Sequence, residues 1–178
     1  ELYHLAGDSF IPNSWEAPVA NLEINTGLTI SILEAVRHHS PETRVLNACS
    51  REIFGHSFEG LVNEETPMRP TTPYGINKAA ARWMVLAYRE RYGLFVTNAI
   101  LFNHESPLRK EEFVTRKISR GVAEIAHGLR THIELGCLDA RRDWGYAGDF
   151  VEAMWRILQT EKPDDFVIGT GQTHSIQD

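Results

Sequence analysis

The chain has 178 residues, 42% of them hydrophobic and 24% charged, with a formal net charge of −6. That length and apolar content supply a real core, and the acidic balance gives no global electrostatic case for binding nucleic acid or an anionic membrane. No apolar run approaches the roughly 20 residues that cross a bilayer. The two cysteines, Cys49 and Cys137, resemble neither a disulfide framework nor a metal site, so no metal and a reducing cytoplasm are expected.

Strands and helices alternate along the first hundred residues. "LYHLAG" (2–7) reads as a short buried strand ending at a glycine. Residues 21–39 carry Leu22, Leu28, Ile32, Leu33 and Val36 at helical spacing and end in the solvated pair His38–His39. "TRVLNACS" (43–50) is a second strand. A helix runs from Pro73 to Tyr92, with Thr72 as its cap and Gly93 as its stop, and "LFVTNAILFN" (94–103) is a third strand. This alternation predicts a parallel sheet with helices on both faces.

After residue 103 the texture changes. "HESPLRKEEF" (104–113) reads as a polar loop, 114–129 as an amphipathic helix with a basic first turn, and "HIELG" (132–136) as a short strand. Residues 146–160 read as a helix turning Phe150, Val151, Met154, Trp155 and Leu158 inward, and "DDFVIGTG" (164–171) as a last strand. Because the chain opens directly as a strand without Met and stops just after another, a segment of a longer protein is expected.

In an open α/β sheet, ligands bind beyond the carboxyl ends of the strands. The first strand is followed by Gly7, Asp8 and Ser9, the second ends at Ser50 with Glu52 beyond it, and the third is followed by Asn103, His104 and Glu105. The helix from Pro73 sets Tyr74 and Lys78 four residues apart on one face. Taken alone, the pair also fits a rim tyrosine and a solvated lysine. A free phenol, with a pKa of about 10, is a poor base at neutral pH, but a cation one helical turn away stabilises the phenolate. Tyr74 could then take a proton from an alcohol while hydride leaves for a nicotinamide, with Ser50 hydrogen-bonding the same oxygen.

Ser50 with "YGINK" (74–78) resembles the Ser/Thr…YxxxK signature of the short-chain dehydrogenase/reductases. "ACSREIFG", "PTTPYGINKAAARWMVLAYRERYGLFVTNAILFNHESP", "FVTRKISRGVA" and "DARRDWGYAGDFVEAMWRILQ" are together more specific. Along nearly the whole chain they resemble the GDP-mannose 4,6-dehydratase family, extended members of that superfamily that act on nucleotide sugars in GDP-fucose biosynthesis.

The resemblance implies a partial Rossmann-like parallel sheet lacking its first strands, plus part of a smaller C-terminal substrate-binding region. Residues 1–103 would be the C-terminal part of the NADP-binding domain, and 104–178 a substrate-binding region interleaved with the last Rossmann elements. It implies Ser50, Glu52, Tyr74 and Lys78 as catalytic residues, with Glu52 taking the proton on sugar carbon 5. It implies NADP contacts from Leu5, Ala6, Gly7, Asp8, Ser9, Lys78, His104 and Arg109, and GDP-mannose or a related GDP-sugar held by Asn103, Lys117 and Arg142. Relatives of this kind are commonly dimers or tetramers packed through helices such as 22–37 and 73–92, so a homo-oligomer is expected.

The chain departs from the family pattern in several places. Asp8 and Phe10 stand where Gln and His are usual, Ala20 where a Tyr is general, Cys137 for an Asn, and Arg51 for a small residue. The Gly-rich pyrophosphate turn does not occur in these residues, so weak NADP binding and little turnover are expected of them alone. A sugar-nucleotide reductase or 4-epimerase, or a non-catalytic module, stays open beside the dehydratase. Glu52 separates the enzymes, because only a dehydratase needs a base for carbon 5.

Overall fold

A computed structural model describes residues 1–55 and 60–178. In chain order the elements are β1 (Leu2–His4), α1 (Ile11–Glu16), α2 (Pro18–Leu22), a π-helical turn (Glu23–Gly27), α3 (Leu28–His39), β2 (Val45–Ser50), a 3-10 turn (Arg51–Phe54), α4 (Pro73–Tyr92), β3 (Val96–Leu101), β4 (Asn103–Glu105), α5 (Val114–Ala126), β5 (Arg141–Arg142), β6 (Trp144–Tyr146), α6 (Ala147–Leu158), β7 (Phe166–Ile168) and β8 (His174–Ser175). They divide into two compact units, Glu1–Phe102 with Val151–Ile168, and Asn103–Phe150 with Gly169–Asp178.

The first unit is built on a parallel sheet in the order β1-β2-β3-β7. β2 and β3 are mostly apolar and buried on both faces, with Asn47, Thr97 and Asn98 as buried polar members. Odd-numbered Val45 and even-numbered Val96 sit in register and pack with Leu33 and Val36 of α3 and Val85 of α4, so α3 and α4 cover one face. Leu46, Thr97 and Ala99, pointing to the other face, are equally buried. Arg44 donates to the carbonyls of Leu158 and Thr160 and so ties the end of α6 to the start of β2.

Local chemistry fixes the ends of α4. Thr72 Oγ1 accepts the Gly75 N–H at 3.0 Å, Pro73 occupies the first turn, and Gly93 at φ +66° closes the helix in the left-handed region. Its inward stripe is Tyr74, Lys78, Ala81, Arg82 and Val85, spaced by three and four.

A buried polar ladder crosses the sheet under α3 and α4. The register aligns His4, Asn47 and Asn98. Asn47 Nδ2 donates to Asn98 Oδ1 at 2.8 Å, and Asn98 Nδ2 donates to Asp165 Oδ1 at 2.9 Å. Asp165 also accepts from Arg82 Nε at 2.8 Å and Arg89 Nη2 at 2.6 Å. A carboxylate that is 5% exposed is thereby matched to two cations and to the side-chain amide and backbone N–H of Asn98.

The second unit contains the parallel pair β4–β6, the antiparallel pair β5–β8 and α5. Asp143, between β5 and β6, accepts from the Thr170 N–H, the Thr170 hydroxyl and the Gly171 N–H. That carboxylate pins residues 170–171 to the "RDWG" segment.

Several expectations are corrected. The strand expected over 2–7 stops at His4, and the segment 104–113 opens as the end of β4 rather than as a loop. Residues 132–136 form no strand; Ile133 instead packs where Gly121 of α5 leaves out a side chain. The helix expected to reach 129 ends at Ala126, because Gly128 turns to φ +69° and the Leu129 N–H bonds back to Glu124 O. Val151 and Trp155 of α6 are 58% and 53% exposed, and the buried stripe is Phe150, Met154, Ile157 and Leu158. Leu22, expected on an apolar face, is also exposed, because the π-helical turn rotates the helix after it.

Replacing Asp165 with Ala would strand the Arg82 and Arg89 guanidiniums in the interior. The expected loss is about 3–5 kcal/mol, read as a lowered urea midpoint with an unchanged slope.

Candidate active site

Four of the catalytic candidates lie where β2 ends and α4 begins. Ser50, the last residue of β2, is extended at φ −137° and caps the 3-10 turn by accepting the Glu52 N–H at 3.3 Å. The α4 N-terminus is pressed against that turn: a Cβ on Gly75 would lie 2.7 Å from Glu52 O. Glycine next to Tyr74 is therefore what lets the helix start this close to Glu52.

Lys78 is 7% exposed, and its Nζ lies 5.9 Å from the centroid of the equally buried Tyr74 ring. One ammonium N–H goes to Ala48 O at 2.9 Å, which leaves two donors over among the described residues. Burial holds the Lys78 pKa below its ordinary value, with the neighbouring Cys49 acting weakly the other way. Cys49 is itself fully enclosed, and burial pushes its thiol up to about 11, so it is inert filling. Both cysteines are free thiols.

Glu52 is 7% exposed. Its Oε1 accepts from Arg51 Nη1 at 2.9 Å, whereas Oε2 meets no hydrogen-bond donor among the described residues. A buried carboxylate oxygen without a donor is costly to keep unless something else engages it.

The Leu5–Ser9 turn passes over Lys78. A Cβ on Gly7 would lie 2.6 Å from Asn25 Oδ1 and 3.5 Å from Lys78 Nζ. Leu5, Ala6, Gly7 and Ser9 are exposed, while Asp8 is half-buried and accepts the Phe10 N–H through its carboxylate. The result is an open backbone turn above a buried cation with donors to spare.

Sequence reasoning missed the layer beneath this turn. Asn25, in the π-helical turn, donates to Asp8 O and Asn21 O at 3.1 Å each, and its buried Oδ1 has no donor among the described residues. Thr29 donates to Asn25 O at 3.0 Å, so its oxygen accepts from His4 Nε2 at 3.1 Å and His4 carries its proton there. Thr26 donates to Asn77 O, and Asn77 donates to Asn21 Oδ1, which joins the same turn to α4. The available signal was Asn21, Asn25, Thr26 and Thr29, polar residues at helical spacing on the face a core helix should keep apolar.

The remaining candidates belong to the second unit. Asn103 Nδ2 donates to Asp143 O at 3.3 Å, and the His104 ring stacks on Phe150 with centroids 5.1 Å apart. Arg109 pairs with Glu105 at 3.1 Å and lies 3.5 Å over the Phe113 ring. Lys117 is exposed in the first turn of α5, and half-buried Arg142 donates to Arg141 O at 2.7 Å. Among the described residues no group of three or more His, Cys, Asp or Glu is placed to hold a metal ion, and no helix is long and apolar enough to cross a membrane.

The sequence matches the family described as GDP-mannose 4,6 dehydratase over residues 1–178. It is 47% identical to GDP-mannose 4,6 dehydratase 2 of Arabidopsis thaliana, with 100% of this chain and 48% of the relative aligned. It is 46% identical to GDP-mannose 4,6 dehydratase of Drosophila melanogaster, with 100% and 46% aligned. The chain thus spans about half the length of the curated relatives it matches. Among solved structures, RMD from Pseudomonas aeruginosa complexed with NADPH superposes with a TM-score of 0.93 at 28% identity, covering 98% of this chain and 60% of that one.

The layer under the turn generates a pH dependence. Burial first, then the Lys78 ammonium, holds the His4 imidazole below its ordinary 6.5. Just below pH 6.5 the unfolded chain therefore binds a proton that the folded chain refuses, so stability falls as pH drops from 7.5 to 5.5. A His4→Gln variant should lose this component, which is at most about 1.4 kcal/mol per pH unit. Urea midpoints of both proteins at the two pH values test it.

Proposed function

The chain belongs to the GDP-mannose 4,6-dehydratase family, and from that premise we propose that its protein dehydrates GDP-mannose to GDP-4-keto-6-deoxymannose by transient oxidation with bound NADP. The observation that carries the reading is Glu52. A buried carboxylate with one oxygen that meets no donor among the described residues, packed against the start of the helix that bears Tyr74 and Lys78, is the extra base that a simple alcohol oxidation does not need.

A nicotinamide dinucleotide, when bound, accepts hydride from the sugar and later returns it. The open turn above the Lys78 donors fits the ribose end of such a molecule, so Leu5, Ala6, Gly7, Asp8, Ser9 and Lys78 would hold it, with His104 and Arg109 as further contacts. NADP rather than NAD is favoured by the NADPH bound to the Pseudomonas aeruginosa protein. Asn103, Lys117 and Arg142 are assigned to the nucleotide sugar; a guanidinium fork suits a diphosphate.

Tyr74 takes the proton from the hydroxyl on carbon 4, with the Lys78 ammonium favouring the phenolate and Ser50 donating to the same oxygen. The resulting ketone acidifies carbon 5. Glu52 Oε2 takes that proton, the electron pair moves toward the carbonyl, and the protonated carboxyl delivers its proton to the hydroxyl leaving carbon 6 as water. Once hydride is back on carbon 6 and a proton, the one Tyr74 took, is back on carbon 5, the sugar has lost one water overall.

The free thiols are compatible with a reducing cytoplasm, which we assign as the compartment. On α4, Ile76 and Trp83 are 53% and 60% exposed two turns apart, a stripe assigned to a second copy of the chain. If so, Trp83→Glu should shift the protein at full natural length to a smaller species in light scattering, and an unchanged mass would remove that assignment.

Two substitutions test the reaction. Tyr74→Phe should abolish the transient absorbance of reduced cofactor and cut turnover by about 100-fold or more. Glu52→Gln should keep that transient and stop before water loss. Net cofactor consumption or an unchanged sugar mass from the unmodified protein would instead favour a reductase or a 4-epimerase.

A further inference from the structure

Arg51 stands beside the carboxylate assigned as base, and its side chain is built into the turn. Its Nη1 donates to Glu52 Oε1 at 2.9 Å and its Nη2 donates to Gly55 O at 3.0 Å, so one guanidinium spans the turn from its start to the residue that closes it. The arginine side chain is 18% exposed and the glutamate side chain 9%, and the guanidinium lies 5.9 Å from the Phe102 ring centroid.

The anchor is itself constrained. Gly55 sits at φ +72°, where an L side chain is strained, and a Cβ there would collide with the Arg69 carbonyl. The Arg69 N–H in turn donates to Ile53 O at 2.9 Å. Adjacent side chains do not normally face each other on a helical turn. Here the fork reaches both partners because the turn is tight and Gly55 bends its carbonyl back.

We propose that Arg51 is a positioning residue that determines which oxygen of Glu52 does the chemistry; the proposal rests on the dehydratase reading. A carboxylate has two chemically equivalent oxygens and a freely turning terminal torsion. Engaging Oε1 in a charge-assisted hydrogen bond removes it as a proton acceptor and fixes the plane of the group. Oε2 is then the oxygen left, buried, without a donor among the described residues. It breaks the carbon 5–hydrogen bond, leaves the electron pair with the keto sugar, and gives the same proton to the departing hydroxyl. Arg51 touches neither substrate nor cofactor in this role.

The test uses the protein at full natural length with GDP-mannose, its carbon 5 analogue labelled with deuterium, and NADP. Arg51→Met should leave the rate at which reduced cofactor appears unchanged, because Tyr74 and Lys78 are untouched, while the reduced form persists longer. It should lower kcat by about 10- to 100-fold, the usual penalty for a misplaced reacting group, with KM within about twofold. The carbon 5 deuterium isotope effect on kcat should rise as that step becomes limiting. Arg51→Lys restores a cation able to meet Oε1 but not the second arm to Gly55 O, so it should recover part of the loss.

A variant that slows carbon 4 oxidation as much as water loss, or that leaves kcat and the isotope effect as in the unmodified protein, overturns the proposal. If Arg51→Met does not fold, the lysine variant decides by the same isotope effect. Absence of water loss from the unmodified protein overturns the dehydratase reading first, and the role of Arg51 with it.

Discussion

A lysine ammonium enclosed between a strand carbonyl and a phenol ring is the constraint from which the first unit can be understood. Water would solvate that charge far better than Ala48 O does, and the depressed Lys78 pKa is the signature of the loss. Such a group stays in place only if the scaffold around it is stiff. The scaffold here is a parallel sheet whose lateral contacts are polar as well as apolar. Asn47, Asn98 and Asp165 are hydrogen-bonded across three strands, and Asp165 grips α4 through Arg82 and Arg89. The helix that carries Tyr74 and Lys78 is therefore keyed to the sheet by ion pairs about one and three turns beyond Lys78.

At the other end of the same helix the device is steric. Gly75 lets α4 meet the Glu52 carbonyl, Gly55 lets the turn bend back, and Gly7 lets the first loop settle against Asn25 beside Lys78. Each glycine marks a place where two pieces of backbone, or backbone and a functional side chain, approach too closely for a Cβ. The site is thus assembled from close approaches at the carboxyl ends of β1 and β2, the region an open parallel sheet leaves free for ligands. Elsewhere the same chain is packed conventionally, with Leu33, Val36, Val85 and Val96 filling the space between helices and sheet.

What could be read from the sequence followed the strength of local signals. α4 was legible at both ends because a threonine cap, a proline in the first turn and a glycine stop each have one dominant backbone consequence. β2 and β3 were legible as apolar runs. Residues 132–136 misled because alternation in a five-residue stretch says nothing about whether a partner strand exists, and here Ile133 is taken up by α5 instead. Trp155 and Val151 misled because the apolar stripe of α6 is broader than the face it buries. The polar layer His4–Thr29–Asn25 left only a partial signal, polar residues at helical spacing, because its members lie on β1, the π-helical turn and α3 and make sense only once these are side by side.

That layer also explains why the helix after residue 22 is irregular. A regular α-helix through 23–27 would keep its carbonyls for the backbone ladder and turn its side chains by a fixed 100° per residue. The π-helical turn breaks that regularity at one place, where Asn25 reaches both the Asp8 carbonyl and the preceding turn of its own helix while Thr26 reaches α4. Irregular turns of this kind are uncommon and concentrate near functional sites. The distortion is confined to the five residues beneath the loop that passes over Lys78, and α3 resumes regular geometry immediately after it. A helix that served only to cover the sheet would have no reason to bury two asparagines and two threonines there. Their burial is accounted for if the turn must hold the loop at a fixed height above the ammonium.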